Sequence, residues 1–398
     1  MWKENYIIIH LENNDAFVKK DSIEKLAKVD AVIFDCDGVL IDVRKSYFMA
    51  IKETVNYISN RLIGLRIEEK LLDNLIYRLK KGGKFNNDWA VSYAISLIIL
   101  TTIPKEAREE LKRTIDSKLL KFTNEPLERL IIIENFLKEK IKNTNFKISE
   151  ESSKRLIELA EIISSSGFKF FTNSLTLKDD LEILRYGEYI FSKYGNVGEN
   201  IITTIFEEKF LGYNLFKEIY GMNCKFHKGK GLIDNEKIII NRENLREITS
   251  IIGKSNFGIA SGRPFASTKY TMKELLDEFK PEAKVFLEDI NEAERRAKQK
   301  GEIMDLSKPN PYSLTNCAKG LMPFNFALYI GDSMEDFIMV ELANKIKACY
   351  LFGGVYAHSI MKKEQKTDFI KKGADLILPS VKELPFILKY IKEKKGFA

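Results

Sequence analysis

Ala31-Val32-Ile33-Phe34-Asp35-Cys36-Asp37-Gly38-Val39-Leu40 is the stretch that decides the fold. Val32, Ile33 and Phe34 make a short apolar run, β-branched and aromatic, which predicts a buried strand. The run stops at two aspartates one residue apart, and Gly38 follows, able to turn the backbone sharply. In a regular strand Asp35 and Asp37 would share one face; a chain leaving the strand after Asp35 can bring both into one small cavity. Open α/β sheets keep their ligands at the carboxyl ends of parallel strands. Taken alone, the same residues also describe an ordinary strand with a polar cap and an Asp-Gly turn. The rest of the chain has to choose between the two.

Downstream of about Glu243 the pattern alternates strand and helix. Arg242–Ile252 reads as a helix, and strand Asn256–Ala260 ends in Ser261-Gly262-Arg263-Pro264. A helix over 265–279 and a strand at Val285-Phe286-Leu287 follow. Lys308-Pro309-Asn310-Pro311 precedes a further helix. Ala327–Ile330 then reads as a strand ending Gly331-Asp332-Ser333-Met334-Glu335-Asp336, and strands at 348–352 and 374–378 complete the series. This alternation predicts a parallel sheet with helices on both faces, an α/β, Rossmann-like core. Four polar stations come in order: Asp35 with Asp37, Ser261, Lys308, and Asp332 with Asp336. Each has a bland reading as a helix cap or a turn. Three of them directly end expected strands, so one site at the sheet's carboxyl edge can collect all four.

Between 47 and 246 the spacing is helical, with apolar residues three and four apart at Tyr47, Ala50, Ile51, Val55 and Ile58. Helices are expected from Lys45 to Leu62, from Glu68 to Leu79, and at 91–100, 104–120, 126–141, 177–184 and 197–210, with a short strand at 167–172. Asn86-Asn87-Asp88, beside Trp89, reads either as a substrate-facing polar loop or as a helix N-cap. The basic cluster Lys225, His227, Lys228 and Lys230 reads as a solvated face. Ahead of the motif, Tyr6–Leu11 reads as a strand and Ser22–Lys28 as a helix, with Asp21 and Glu24 at capping-box spacing.

The 398 residues are enough for two or three compact units. Lys and Arg number 64 against 57 Asp and Glu, a net charge of +7 spread along the chain. That is too slight to argue for nucleic acid, yet it would not repel an anionic substrate. Cys36, Cys224, Cys317 and Cys349 form no CxxC pair, which points to reduced thiols rather than a disulfide or zinc framework. Met1-Trp2-Lys3-Glu4-Asn5 lacks a signal-peptide pattern, and no apolar run reaches the roughly 20 residues of a membrane span. A cytoplasmic protein is the expectation.

Asp-x-Asp-Gly-Val-Leu after an apolar strand, followed by Ser261, Lys308 and Asp332 with Asp336, resembles the motif set of the haloacid dehalogenase-like hydrolase superfamily. The resemblance covers residues 31–46 and about 250–380. Gly82–Trp89, Ser261-Gly262-Arg263-Pro264 and the 211–233 stretch are similar to a narrower, largely uncharacterised subfamily I group; residues 105–195 match nothing. The resemblance implies a discontinuous Rossmann-like core over 31–46 and 247–398, a helical cap over 47–246, and an N-terminal extension over 1–30. It implies a Mg²⁺-dependent phosphatase acting on a small phosphorylated metabolite, while the slight net charge and the short apolar runs lead to the expectation of no nucleic acid or membrane partner. Asp35 would be the nucleophile and Asp37 the proton carrier, while Ser261 and Lys308 would contact phosphate. Asp35, the Asp37 carbonyl and Asp332 would hold Mg²⁺, with Asp336 behind them. Gly262, Arg263, Asn86, Asn87 and Asp88 would meet the substrate. A phosphomutase resembling β-phosphoglucomutase and an inactive binding protein are the alternatives. Asp37 stands where ATPase-type members carry threonine, which favours phosphate-ester chemistry.

Overall fold

The structure is a computed structural model that describes all residues except 1, 13, 83, 84, 86, 104, 117–124, 142–146, 167–184, 188, 193, 194 and 396–398. The chain divides into two compact units, Met1–Arg44 with Glu236–Ala398, and Lys45–Asn235. The first is an α/β unit with a mostly parallel sheet; the second is helical.

The sheet of the first unit has eight strands. In chain order these include β1 (Tyr6–His10), β2 (Asp15–Lys19) and β3 (Val29–Phe34); β4 (Ile41–Asp42) and β5 (Lys237–Ile238) form a separate pair. Then come β6 (Phe257–Ala260), β7 (Lys284–Val285), β8 (Phe326–Gly331), β9 (Tyr350–Val355) and β10 (Leu376–Leu378). Across the sheet the order is β1-β2-β10-β9-β8-β3-β6-β7, with β3 between β8 and β6 and parallel to both. Every residue of β6 and β9 is buried, as expected for strands covered on both faces. Phe34 packs edge-on against Phe257 and Phe279, while Ile33 joins the cluster of Tyr329, Phe352 and Phe369.

The N-terminal segment adds two strands, β1 and β2, to this sheet. β1 and β2 form an antiparallel hairpin, and β2 pairs antiparallel with β10. Phe17 is buried, and the Tyr6 hydroxyl donates to the carbonyl of Ala374 at 2.9 Å. The expected helix at Ser22–Lys28 shrinks to Ile23–Leu26, after a 3₁₀ turn at Lys20–Ser22. Ser22, not Asp21, stands at the N-cap, and its hydroxyl donates to Asp375 Oδ1 at 2.5 Å instead of capping the helix. The hairpin's tertiary contacts override the local capping signal.

The boundary between the units also differs from the expected 47–246. Residues 236–246 belong with the sheet, because the returning chain forms β5, which pairs Ile238 with Ile41 and Lys237 with Asp42. A capping box of Asn241 and Asn244 then starts the helix Arg242–Ile252, which buries Leu245, Ile248 and Ile252. Leu287 opens a helix, Leu287–Gln299, so the third strand is only Lys284–Val285. The expected helix at 265–279 divides into Phe265–Met272 and a 3₁₀ segment, Lys273–Glu278.

In the helical unit, Tyr47–Ile63, Glu69–Lys81, Asp88–Leu100, Pro126–Ile141, Glu150–Ser166 and Ile201–Tyr220 are among the helices. Every residue from Val91 to Leu100 is buried, and Tyr47 stacks on Phe210 with ring centroids 4.1 Å apart. The helix Ile201–Tyr220 kinks at Gly212, whose φ is 71°. A Cβ there would fall 2.2 Å from the backbone nitrogen of Gly231, so glycine permits the two chains to cross. The strand expected at 167–172 and the helix at 177–184 lie outside the described residues.

If the N-terminal hairpin is core rather than appendage, Phe17→Ala should lower stability by about 3–5 kcal/mol, as truncation of a buried phenylalanine does. Urea unfolding followed by far-UV circular dichroism would measure it. A loss below about 1 kcal/mol would mark residues 1–30 as a loosely attached arm.

Candidate active site

Parallel register assembles the site. β3 pairs Phe34 with Ile330 of β8 and with Ile259 of β6. One residue beyond each pair the three strands begin to run out, and Asp35, Ser261 and Asp332 follow at their carboxyl ends. The backbone N–H of Asp35 still donates to the Ile330 carbonyl at 2.9 Å, so its side chain is fixed by the last rung of the ladder.

Lys308 supplies the cation. Its side chain is 3% exposed, and Nζ lies 2.9 Å from Asp35 Oδ1 and 2.7 Å from Asp336 Oδ1. Nζ also donates to the Tyr329 hydroxyl at 2.8 Å. The Tyr329 proton is within reach of both Asp336 Oδ1, at 2.9 Å, and the Ala260 carbonyl, at 3.1 Å. The second oxygen of Asp336 accepts from the Ser333 hydroxyl at 2.8 Å and the Ser333 N–H at 3.2 Å. That exchange is also the capping box of helix Met334–Ile346. Asp336, its side chain fully enclosed, thus anchors Lys308 and the helix start together.

Asp35, Asp332 and Asp336 can each bring a carboxylate oxygen within 4.8 Å of the others, a group able to hold a metal ion. Gly38 makes room for it. Its φ is +71°, and a Cβ there would fall 2.0 Å from Asp332 Oδ2, so no side chain fits at this position. Three carboxylates against one ammonium leave two formal negative charges, which suits a divalent cation. All the donors are oxygen, the ligand set of Mg²⁺ or Ca²⁺ rather than of zinc. Asp35 Oδ1 is buried and in ion contact with Lys308 at 2.9 Å. Burial pushes the proton affinity of Asp35 up, Lys308 opposes that shift, and Asp336 adds to it.

Asp37 points elsewhere. Its Oδ1 accepts from Arg263 Nη1 at 2.8 Å, and its side chain keeps 31% of its surface open. Withdrawal from water, only partly offset by Arg263 and reinforced by Asp35, pushes its pKa up to about 6. Arg263 is completely enclosed and is held by Glu236, with Nη1–Oε1 at 3.0 Å and Nη2–Oε2 at 2.7 Å. The guanidinium expected to meet a substrate anion is therefore occupied inside the protein. Gly262, between Ser261 and Arg263, is exposed, and Ser261 is buried with its hydroxyl accepting from the Arg263 N–H at 3.3 Å.

In the helical unit Asn87 is the N-cap of Asp88–Leu100, accepting from the N–H groups of Trp89 and Ala90. Asp88 pairs with Lys80 at 2.5 Å. Local capping and pairing account for both, and neither is shown to meet a substrate; Asn86 lies outside the described residues. Within the basic cluster, Lys225 pairs with Glu125, and the His227 ring bonds to the Lys230 carbonyl. Glu208 accepts from three successive backbone N–H groups at 225–227 and so fixes this loop.

Glu236 and Tyr329 were missed in the sequence. Glu236 stands between Asn235 and Lys237 with no pattern around it, and Tyr329 passes for one more core aromatic of a strand.

No family model and no curated protein matches the chain. Among solved structures it is similar to Northeast Structural Genomics Consortium target ZR25, with a TM-score of 0.54 and 18% identity over 92% of this chain and 100% of that one. Phosphatase Tt82 from Thermococcus thioreducens aligns at a TM-score of 0.43 and 19% identity, over 81% of this chain and 90% of that one. The first likeness shows a shared fold, and neither transfers a chemistry to this chain. Among the described residues no helix is long and apolar enough to cross a membrane.

Removing the buried ammonium should unbalance the site. Lys308→Met is expected to cost about 3–5 kcal/mol at pH 7.5, because Asp35 and Asp336 lose their shared counter-charge. Tyr329→Phe should cost less, about 1–3 kcal/mol. Denaturant unfolding of the two variants measures this, and equal losses would contradict the central place given to Lys308. Asn87→Ala, by contrast, should lose about 1 kcal/mol, the ordinary cost of an N-cap.

Proposed function

We propose that the protein is a Mg²⁺-dependent phosphatase of the haloacid dehalogenase-like type, acting on a small phosphorylated metabolite. The observation that carries this reading is the buried Asp35 carboxylate, in ion contact with Lys308 and grouped with Asp332 and Asp336 at the carboxyl end of the sheet.

The chemistry runs in two steps. An Asp35 oxygen attacks phosphorus, an acyl phosphate forms, and the bond from phosphorus to the substrate oxygen breaks. Asp37 gives its proton to that departing oxygen. Water then attacks the acyl phosphate, Asp37 takes the water's proton, and the bond to Asp35 breaks to release inorganic phosphate. Lys308 offsets the negative charge gathered by carboxylates and phosphate, and Ser261 with nearby backbone N–H groups donates to the phosphate oxygens. Asp35, Asp332 and the Asp37 carbonyl would hold Mg²⁺, with Asp336 supporting through Lys308; the ion would neutralise phosphate charge. The helical unit, inserted between β4 and β5, is read as the cap that selects the leaving group.

A mutase needs a second phosphate site, which a guanidinium such as that of Arg263 could supply by holding the distal phosphate bidentately. With that guanidinium enclosed by Glu236 and Asp37, no observation favours a mutase. Nothing in the site favours an inactive scaffold either.

The test is phosphate release from a panel of phosphorylated sugars, glycerates, nucleotides and amino acids, with Mg²⁺ and with EDTA. Release should require Mg²⁺, need no bisphosphate activator, and fall at least about a thousandfold in Asp35→Asn. Asp332→Asn should raise the Mg²⁺ concentration required. Full activity in excess EDTA, or isomerisation without phosphate release, would overturn the proposal.

A further inference from the structure

We infer that Glu236 and Arg263 form a clamp that positions Asp37 for proton transfer, so that Glu236 is a positioning residue for the reaction. The inference rests on the phosphatase reading, and it assigns Arg263 to Asp37 rather than to substrate.

The geometry is specific. The two Glu236 oxygens take one hydrogen from each terminal nitrogen of Arg263, at 3.0 and 2.7 Å. This planar fork fixes the plane of the guanidinium and leaves the second hydrogen of Nη1 aimed at Asp37 Oδ1, 2.8 Å away. Helix Phe265–Met272 holds the clamp from behind. Arg263 Nη2 reaches the Ser267 carbonyl at 3.3 Å, and Thr271, one turn on, donates its hydroxyl to Glu236 Oε2 at 2.5 Å. The Arg263 and Glu236 side chains have no exposed surface. Burying an ion pair is a poor way to gain stability, since apolar residues of similar volume serve as well or better. A fully enclosed pair that spends one hydrogen bond on Asp37 is accounted for by what it does there. β3 fixes Asp35, whereas Asp37 has already left the strand, and the isolated β-bridge that ties its backbone to Ile41 does not fix its side chain. Arg263 holds its side chain instead.

The clamp also has a place in the chain. Glu236 is the first residue of the sheet unit after the helical unit ends at Asn235, and β5 begins at Lys237. The residue that completes the site therefore lies outside the four stations, immediately before the returning strand β5.

Leaving groups discriminate a positioning role from a structural one. Departure of an alkoxide needs a proton from Asp37, whereas p-nitrophenolate departs without one. In Glu236→Gln the fork loses its charge and one acceptor. For β-glycerophosphate, kcat/KM, which reads only the steps through departure of the leaving group, should fall about 10- to 100-fold. For p-nitrophenyl phosphate kcat/KM should fall no more than about threefold, and the water step that both substrates share through Asp37 stays out of the comparison. Thr271→Val, a milder change behind the clamp, should give the same split at smaller size and serves if Glu236→Gln does not fold. Equal losses on both substrates, or none on either, would overturn the inference. If the wild-type protein releases phosphate from neither substrate and from no member of the panel above, the phosphatase reading has failed. The clamp is then judged by the crystal structure of Glu236→Gln or Thr271→Val: an Asp37 side chain displaced from Arg263 supports it, and an unmoved one sinks it.

Discussion

A single ammonium group, Lys308 Nζ, lies 2.9 Å from Asp35 and 2.7 Å from Asp336, and the rest of the site depends on it. Carboxylates buried at a strand end without a counter-charge would protonate, and a protonated Asp35 could not serve as the nucleophile of the proposed reaction. Asp336 is not offered that role, because both its oxygens are already engaged, one by Lys308 and Tyr329 and the other by Ser333. Its task is to fix where the ammonium sits. Tyr329 adds to this as a strand residue whose hydroxyl reaches Lys308, Asp336 and the end of β6. The sheet, the capping box of helix Met334–Ile346 and the lysine are thus one arrangement.

The parts legible in the sequence are those that repeat a local pattern. β3 is readable because Val32, Ile33 and Phe34 form an apolar run cut off by charge, and the apolar runs of β6 and β8 likewise give way to polar residues after a small one, at Ser261-Gly262 and Gly331-Asp332. Once three strands were placed, parallel order put Asp35, Ser261 and Asp332 at one edge. Helix Arg242–Ile252 is readable to the residue because its apolar spacing and its Asn241 cap agree. The N-terminal helix went the other way: Asp21 and Glu24 have capping-box spacing, but Ser22 is drawn to Asp375, more than three hundred residues on. Contacts at that separation leave no local mark.

Arg263 shows the same limit inside the site. From Ser261-Gly262-Arg263-Pro264 alone, an arginine beside a serine expected to contact phosphate suggests an anion grip. Its real partner, Glu236, sits among Asn235 and Lys237 in a stretch that reads as surface. A buried pair is invisible to a sequence reading unless both partners stand in a pattern, and only one did. Asn87 is the converse case. Its two readings, cap or substrate contact, draw on one chemical property, an amide oxygen that accepts N–H groups, and the backbone of its own helix supplies them.

The sheet and the site pull in opposite directions energetically. Apolar strands covered on both faces stabilise the α/β unit. Five ionisable side chains at its carboxyl edge, Asp35, Lys308, Asp336, Arg263 and Glu236, are nearly enclosed and each costs solvation free energy. Their pairing offsets that cost only if every partner is held in place, and this explains the support around them: Ser333 behind Asp336, Tyr329 behind Lys308, Thr271 behind Glu236. Such support has to come from rigid elements rather than from loops. Tyr329 lies within β8, Thr271 within helix Phe265–Met272, and Ser333 at the N-cap of its helix. Asp35, Lys308, Arg263 and Glu236 stand at strand ends and turns and Asp336 in the first turn of its helix, while the groups that hold them stand on a strand, on a helix or at a helix N-cap. That division lets an edge crowded with buried charge keep one geometry.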